Sequence, residues 1–200
     1  MNRKTPMKKI SRNKSGLYII LLALGLSSCS NPESDWTNLL ENGDVSQWKS
    51  DRCDSFPEYG WSVEGDELII IGSHYRDTIQ AGNLITREKY GNFEFSWEWK
   101  MLTKGGNSGV KYFVPGKGDD YARYGPGPEY QLLDDVNHPW MLEGKMQPND
   151  YHTLGACYEL YEAYPAKAPA PLGECNSRRI VSKDGQVENW LNGKKILVYK

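Results

Sequence analysis

The run F-E-F-S-W-E-W-K-M at residues 93–101 decides the fold class. Phe93, Phe95, Trp97, Trp99 and Met101 share one face of an extended chain, and Glu94, Ser96, Glu98 and Lys100 share the other. Successive side chains of a strand point to opposite faces, so this alternation predicts a strand with one face buried. Four aromatics on one face fit either a sugar-stacking platform or half of a sandwich core. Strand aromatics usually pack, and the core reading is preferred.

Working outward, the C-terminal third repeats the same grammar. Asp184-Gly185 and Asn192-Gly193 are two-residue hairpin signals, and they divide strands expected at 178–183, 186–191 and 195–199. Gly65-Asp66 separates short runs at 61–64 and 67–71, and 83–86 is another short strand. The fold is expected to start near Trp36, with strands following at 109–114 and 129–134. Residues 139–150 read as a loop, and 151–161 as a strand or a short helix. Pro165, Pro169 and Pro171 mark 164–171 as a connection. No sustained helical period appears, so the chain reads as an all-β sandwich or barrel.

The N-terminus reads differently. Residues 1–14 carry Arg3, Lys4, Lys8, Lys9, Arg12 and Lys14 with no acid, an apolar run covers 17–26, and Leu26-Ser27-Ser28-Cys29 follows. That order describes a secretory signal, and its ending resembles a bacterial lipobox, in which the cysteine takes lipid. The apolar run is short for a membrane span of about 20 residues. The expected organisation is a signal at 1–28, lipidation at Cys29, a polar tether to residue 35 and one domain over 36–200. The expected location is a bacterial cell envelope, with the membrane reached through the anchor.

Removing 1–28 takes six of the 24 basic residues and none of the 26 acids, which leaves 18 against 26 and a net charge of −8. A balance this acidic excludes nucleic acid as a partner. Besides Cys29 there remain Cys53, Cys157 and Cys175, an odd number, with Cys157 and Cys175 a plausible pair in an oxidising compartment.

Polar groups concentrate between Gly105 and His138: Asn107, Ser108, Lys111, Glu129, Gln131, Asp134, Asp135 and His138. In period-2 geometry Glu129, Gln131, Leu133 and Asp135 share a face, as do Gly109, Lys111 and Phe113 on the preceding strand. If the two strands pair, Lys111 comes near Glu129. The bland reading of that pair is a cross-strand ion pair on a solvated face, worth about 0.2–1 kcal/mol. Asp134 and Asp135 are candidates for a calcium ion, but adjacent acids on a strand point to opposite faces, and a strand end before a turn is the better reading. No cofactor is expected.

Five ordered words, N-S-G-V-K-Y-F-V (107–114), E-Y-Q-L-L-D-D-V-N-H-P (129–139), L-Y-E-A-Y-P-A (160–166), P-L-G-E-C-N-S-R-R-I-V (171–181) and V-E-N-W-L-N-G-K-K-I (187–196), resemble the 3-keto-disaccharide hydrolase domain. The resemblance spans 36–200. It implies a concanavalin A-like jelly-roll fold and action on glycosides already oxidised to a ketone at C3. Three features depart from the family pattern. Cys175 stands where tryptophan is common, Asn189 stands where histidine is common, and the family usually continues past residue 200 into a closing segment.

A C3 ketone acidifies the C2 proton, so a base at C2 forms an enolate that expels the C1 substituent, and water then adds. The route needs a base, an electrophile on the ketone oxygen and a proton donor for the leaving oxygen. It does not need the two flanking carboxylates of an ordinary glycosidase. Set against the strand faces above, this chemistry makes Glu129 or His138 the expected base, with Lys111 and Gln131 steadying the enolate. Asn107 and Gln131 are the expected ligands of ring hydroxyls. Arg123, with Tyr121 and Tyr124, forms an expected rim, and Asp135 is a further substrate-binding candidate. A histidine's ordinary pKa of about 6.5 suits His138 to acid–base work. His74 and His152 belong to no constellation visible in the sequence. The rival reading is a noncatalytic, lectin-like glycan-binding module of the envelope, since this architecture hosts both.

Overall fold

The structure is a computed structural model. It describes residues 36–70, 82–114, 127–164 and 167–200, together with the backbone of 10–12. Among these, twelve strands carry almost all the regular structure: β1 (Ile10–Arg12), β2 (Trp36–Thr37), β3 (Trp48–Ser50), β4 (Trp61–Glu64), β5 (Glu67–Ile70), β6 (Leu84–Thr86), β7 (Phe93–Trp99), β8 (Asn107–Lys111), β9 (Glu129–Leu133), β10 (Asn176–Lys183), β11 (Gln186–Leu191) and β12 (Lys194–Tyr199). The all-β, concanavalin A-like reading holds. A six-stranded antiparallel sheet runs in the order β12-β11-β10-β7-β1-β2, and β3–β6, β4–β5 and β8–β9 form separate pairs. β1 lies inside the stretch read as a signal and pairs with β2 and β7. The lipidation site at Cys29 and the tether lie outside the described residues.

The core forms where the inner faces of β7, β10, β11 and β12 meet β8 and β9. Trp97, Tyr130, Leu132, Ile180, Val187, Leu191 and Ile196 are all buried there, with Phe93, Phe95 and Trp99 packed against them. The edge of Trp97 meets Tyr130 at 5.5 Å between ring centroids. Each such large apolar side chain stabilises the fold by about 1.5–3 kcal/mol. The aromatic stripe of 93–99 is therefore core, as the bland reading held.

The two C-terminal turns behave as their sequences require. Asp184 and Gly185 have φ of 51° and 80°, and Asn192 and Gly193 have 47° and 78°. Positive φ at both central positions is the hairpin turn that matches strand twist. The β10–β11 register runs from Arg178 opposite Leu191 to Lys183 opposite Gln186.

Four expectations are corrected. β8 ends at Lys111 rather than running to Val114, because Phe113 takes a φ of 54° and turns the chain out of the sheet. A short helix, α1 (Pro139–Leu142), occupies part of the expected 139–150 loop, with proline at its first turn, where the missing N–H costs nothing. Residues 151–161 are neither a strand nor a helix but a string of turns pinned by single bridges at Cys157. Cys157 and Cys175 do not pair: Cys175 is exposed, and Cys157 is buried with its thiol against the Tyr112 and Tyr199 hydroxyls.

Candidate active site

The site is built on the β8–β9 pair. Its register sets Lys111 opposite Glu129, Gly109 opposite Gln131 and Asn107 opposite Leu133. Tyr130 points into the core, so Glu129 and Gln131 occupy the other face. Lys111 Nζ lies 3.6 Å from Glu129 Oε2, and the two side chains keep 29% and 23% of their exposure, half-buried rather than solvated. Burial pushes the Glu129 carboxyl above its ordinary range, and the Lys111 ammonium opposes that shift without cancelling it. A carboxylate raised in this way is a stronger base for a carbon acid near neutral pH.

Gly109 makes room for this arrangement. A Cβ there would fall 1.8 Å from Glu129 Oε1, so the Glu129 side chain lies directly across the glycine. Glycine here serves close approach, since Gly109 is not among the residues with positive φ.

The other expected residues divide. Asn107 is exposed at the far end of the same face, four strand steps or roughly 13 Å from Lys111. His138 follows the far end of β9, where its backbone N–H donates to the Asp134 carbonyl at 3.0 Å. Its ring meets Trp140 edge-on at 5.7 Å, and its Nδ1 is buried without a hydrogen-bond partner. His138 thus belongs to the Asn107 end rather than beside Glu129. Arg123, Tyr121 and Tyr124 lie outside the described residues.

Two residues are corrected. Gln131 is only 2% exposed, and its amide Nε2 donates to the His152 carbonyl at 3.1 Å. That amide braces a loop from a nearly closed position rather than standing on an open face. Asp135 accepts from the Leu154 N–H at 2.8 Å and pairs with Lys167 Nζ at 2.8 Å. Its carboxylate is committed to a largely enclosed ion pair. Asp134 is likewise committed, accepting from the Gly105 N–H and from Asn137. Burial works against its ionisation, but these bonds together hold its carboxyl below the usual range. The two acids therefore do not converge on a calcium ion. Among the described residues no group of three or more His, Cys, Asp or Glu gathers as a metal site.

The structure brings in residues that sequence reasoning left out. The 150–158 turns run beside β9: Gln131 exchanges backbone bonds with Ala156 and Gly155, and the Tyr158 N–H donates to the Glu129 carbonyl at 2.9 Å. This seats the His152 backbone next to Gln131, two strand steps from Glu129. His152 Nδ1 lies 2.5 Å from Asp150 Oδ1, and the same carboxylate oxygen accepts the His152 N–H. The ring is framed by Tyr151, Tyr158 and Trp140 at 4.4, 5.0 and 6.3 Å. Trp140 and Tyr151 are about half exposed, at 49% and 42%. The only signal in the sequence was the Asp-x-His spacing of 150–152, an Asx-turn pattern common in ordinary loops. Asn189, at the position where the family often has histidine, is wholly buried and donates to the Gly155 carbonyl at 3.2 Å. It supports the 150–158 turns from behind.

The β8–β9 pair thus carries a half-buried carboxylate and ammonium on an antiparallel β framework. The chain belongs to the 3-keto-alpha-glucoside-1,2-lyase-like domain family, whose model matches residues 35–200. It is 33% identical over 162 residues to a 3-keto-disaccharide hydrolase of Bacteroides thetaiotaomicron, covering 76% of this chain and 54% of that protein. The chain thus spans about half the length of the curated relative it matches. Two solved structures from Parabacteroides distasonis, both assigned as glycosyl hydrolases, share the fold. One has a TM-score of 0.69 and 36% identity, covering 82% of this chain and 72% of that one. The other has a TM-score of 0.57 and 26% identity, covering 76% and 71%.

Proposed function

We propose that this chain degrades 3-keto-glycosides by elimination followed by hydration, from a lipid anchor at Cys29 in a bacterial envelope. The observation that carries the reading is the Lys111–Glu129 pair: a carboxylate pushed up by burial, with an ammonium 3.6 Å away. Glu129 removes the C2 proton. Lys111 stabilises the negative charge that develops on the C3 oxygen, where a fixed cation in a half-dry site acts most strongly. The enolate collapses, the C1–O bond breaks, and water adds to the unsaturated ketone. The matched family model and the named hydrolase relative support this substrate class.

The test is turnover of a 3-keto-glucoside with a chromogenic leaving group beside its unoxidised parent. Release from the keto compound alone supports elimination. Release from neither, with saturable binding of glycan, would instead favour a lectin-like module that uses Trp140 and Tyr151 as its platform.

A further inference from the structure

The elimination needs a proton for the departing oxygen, and neither Glu129 nor Lys111 supplies it: Glu129 has just accepted one, and Lys111 is engaged with the enolate. We propose that His152, oriented by Asp150, is the catalytic acid and base that serves the glycosidic oxygen and the attacking water. The inference rests on the elimination reading above.

Four observations carry it. Asp150 Oδ1 holds Nδ1 at 2.5 Å while also accepting the His152 backbone N–H, so one carboxylate anchors both the ring and the backbone that carries it. That contact orients the ring and leaves Nε2 as the working nitrogen. Nε2 lies 3.8 Å from Glu159 Oε1, beyond hydrogen-bond reach, and Glu159 is itself largely exposed. The loop is locked in place from below by the Gln131 amide and by Thr153, whose hydroxyl donates to the Asp150 carbonyl at 2.6 Å. Tyr151, Tyr158 and Trp140 close around the ring, and two of them are exposed enough to stack on a sugar or an aglycone.

The proton balance closes over the cycle. In the first half, Glu129 takes hydrogen from C2, the C1–O bond breaks, and the imidazolium Nε2–H passes its proton to the leaving oxygen. In the second half, a water oxygen bonds to C1 while its proton goes to Nε2. Glu129 returns its proton to C2. One water is consumed, and both side chains end as they began.

The test compares two substrates: a nitrophenyl 3-keto-glucoside, whose leaving group departs as a stable anion, and the methyl 3-keto-glucoside, whose leaving group needs a proton. Initial release of nitrophenol and of methanol is measured for the wild-type chain, His152→Ala, His152→Gln and Asp150→Asn, with thermal melts alongside. The expected result is a 10²–10⁴-fold loss on the methyl substrate, the usual size of general acid catalysis. Nitrophenol release should change by less than tenfold. Added imidazole should restore part of the methyl activity of His152→Ala, and Asp150→Asn should show a smaller loss confined to the same substrate. Equal losses on both substrates, or no loss on either, would overturn the role of His152 while leaving the elimination reading standing. A wild-type chain that turns over neither keto compound would remove both.

Discussion

Replacing Gly109 with alanine separates stability from catalysis at one methyl group. The new Cβ would lie 1.8 Å from Glu129 Oε1, 2.5 Å from Cδ and 2.7 Å from Cγ, whereas ordinary contact begins near 3.4 Å. The carboxyl must therefore retreat by about 1.6 Å, the difference between those two distances. Its side chain keeps 23% of its exposure and has solvent to move into. The stability terms are small. Glu129 leaves its rotamer at about 0.5–1.5 kcal/mol, and the Lys111 pair loosens at about 0.2–1 kcal/mol. The stiffer unfolded chain of an alanine variant returns about 0.4–1 kcal/mol, because Gly109 does not occupy the left-handed region. The net loss is no more than about 2 kcal/mol. Catalysis has no such cushion, since misplacing a reacting group by 1 Å costs about 100-fold. The assay pairs a thermal melt with kcat on a nitrophenyl 3-keto-glucoside. We expect a near-native melt and kcat down by about two orders of magnitude. A variant that melts like wild type and turns over at full rate would refute Glu129 as the base, because its carboxyl cannot then be where the structure places it.

Glu129→Gln should remove turnover by at least about 10³-fold while sparing the fold, because amide and carboxylate have the same shape. The same variant tests the pKa sign. Burial raises the folded-state value, so the stability linked to Glu129 is present below the ordinary carboxylate pKa and is lost as pH rises through the raised one. The melting temperature of wild type should thus fall relative to Glu129→Gln across that window, and a constant gap would refute the shift. Wild-type kcat/KM should rise with pH along a limb set above the ordinary glutamate range, since the ionised form is the active one; a limb at or below that range would count against Glu129. Lys167→Met should destabilise the chain by about 3–5 kcal/mol by leaving Asp135 ionised and unpaired in a half-closed site. It should leave the KM of the folded fraction unchanged, as urea melts with parallel kinetics would show. A large KM increase would restore Asp135 to the substrate site.

Local rules read from the sequence determined most of the strands. The alternation of 93–99 predicted β7 and its buried face, and Asp184-Gly185 and Asn192-Gly193 placed β10, β11 and β12 to within two residues. These features depend on period-2 side-chain direction and on φ at single turn residues, forces that act over a few positions. The pairing of Lys111 with Glu129 was also legible, because both lie on strands whose faces the pattern assigns. The partners of the polar groups were not legible. Gln131 and Asp135 share a strand face with Glu129, yet one spends its amide on His152 and the other its charge on Lys167, 32 residues along the chain. Phe113 left the sheet at a backbone angle that no pattern announces in a phenylalanine. His152 looked idle in sequence and became part of the site once the 150–158 turns docked beside β9. Periodicity says which way a side chain points. Which partner it meets depends on burial and on segments far away in the chain, and only the folded packing decides that.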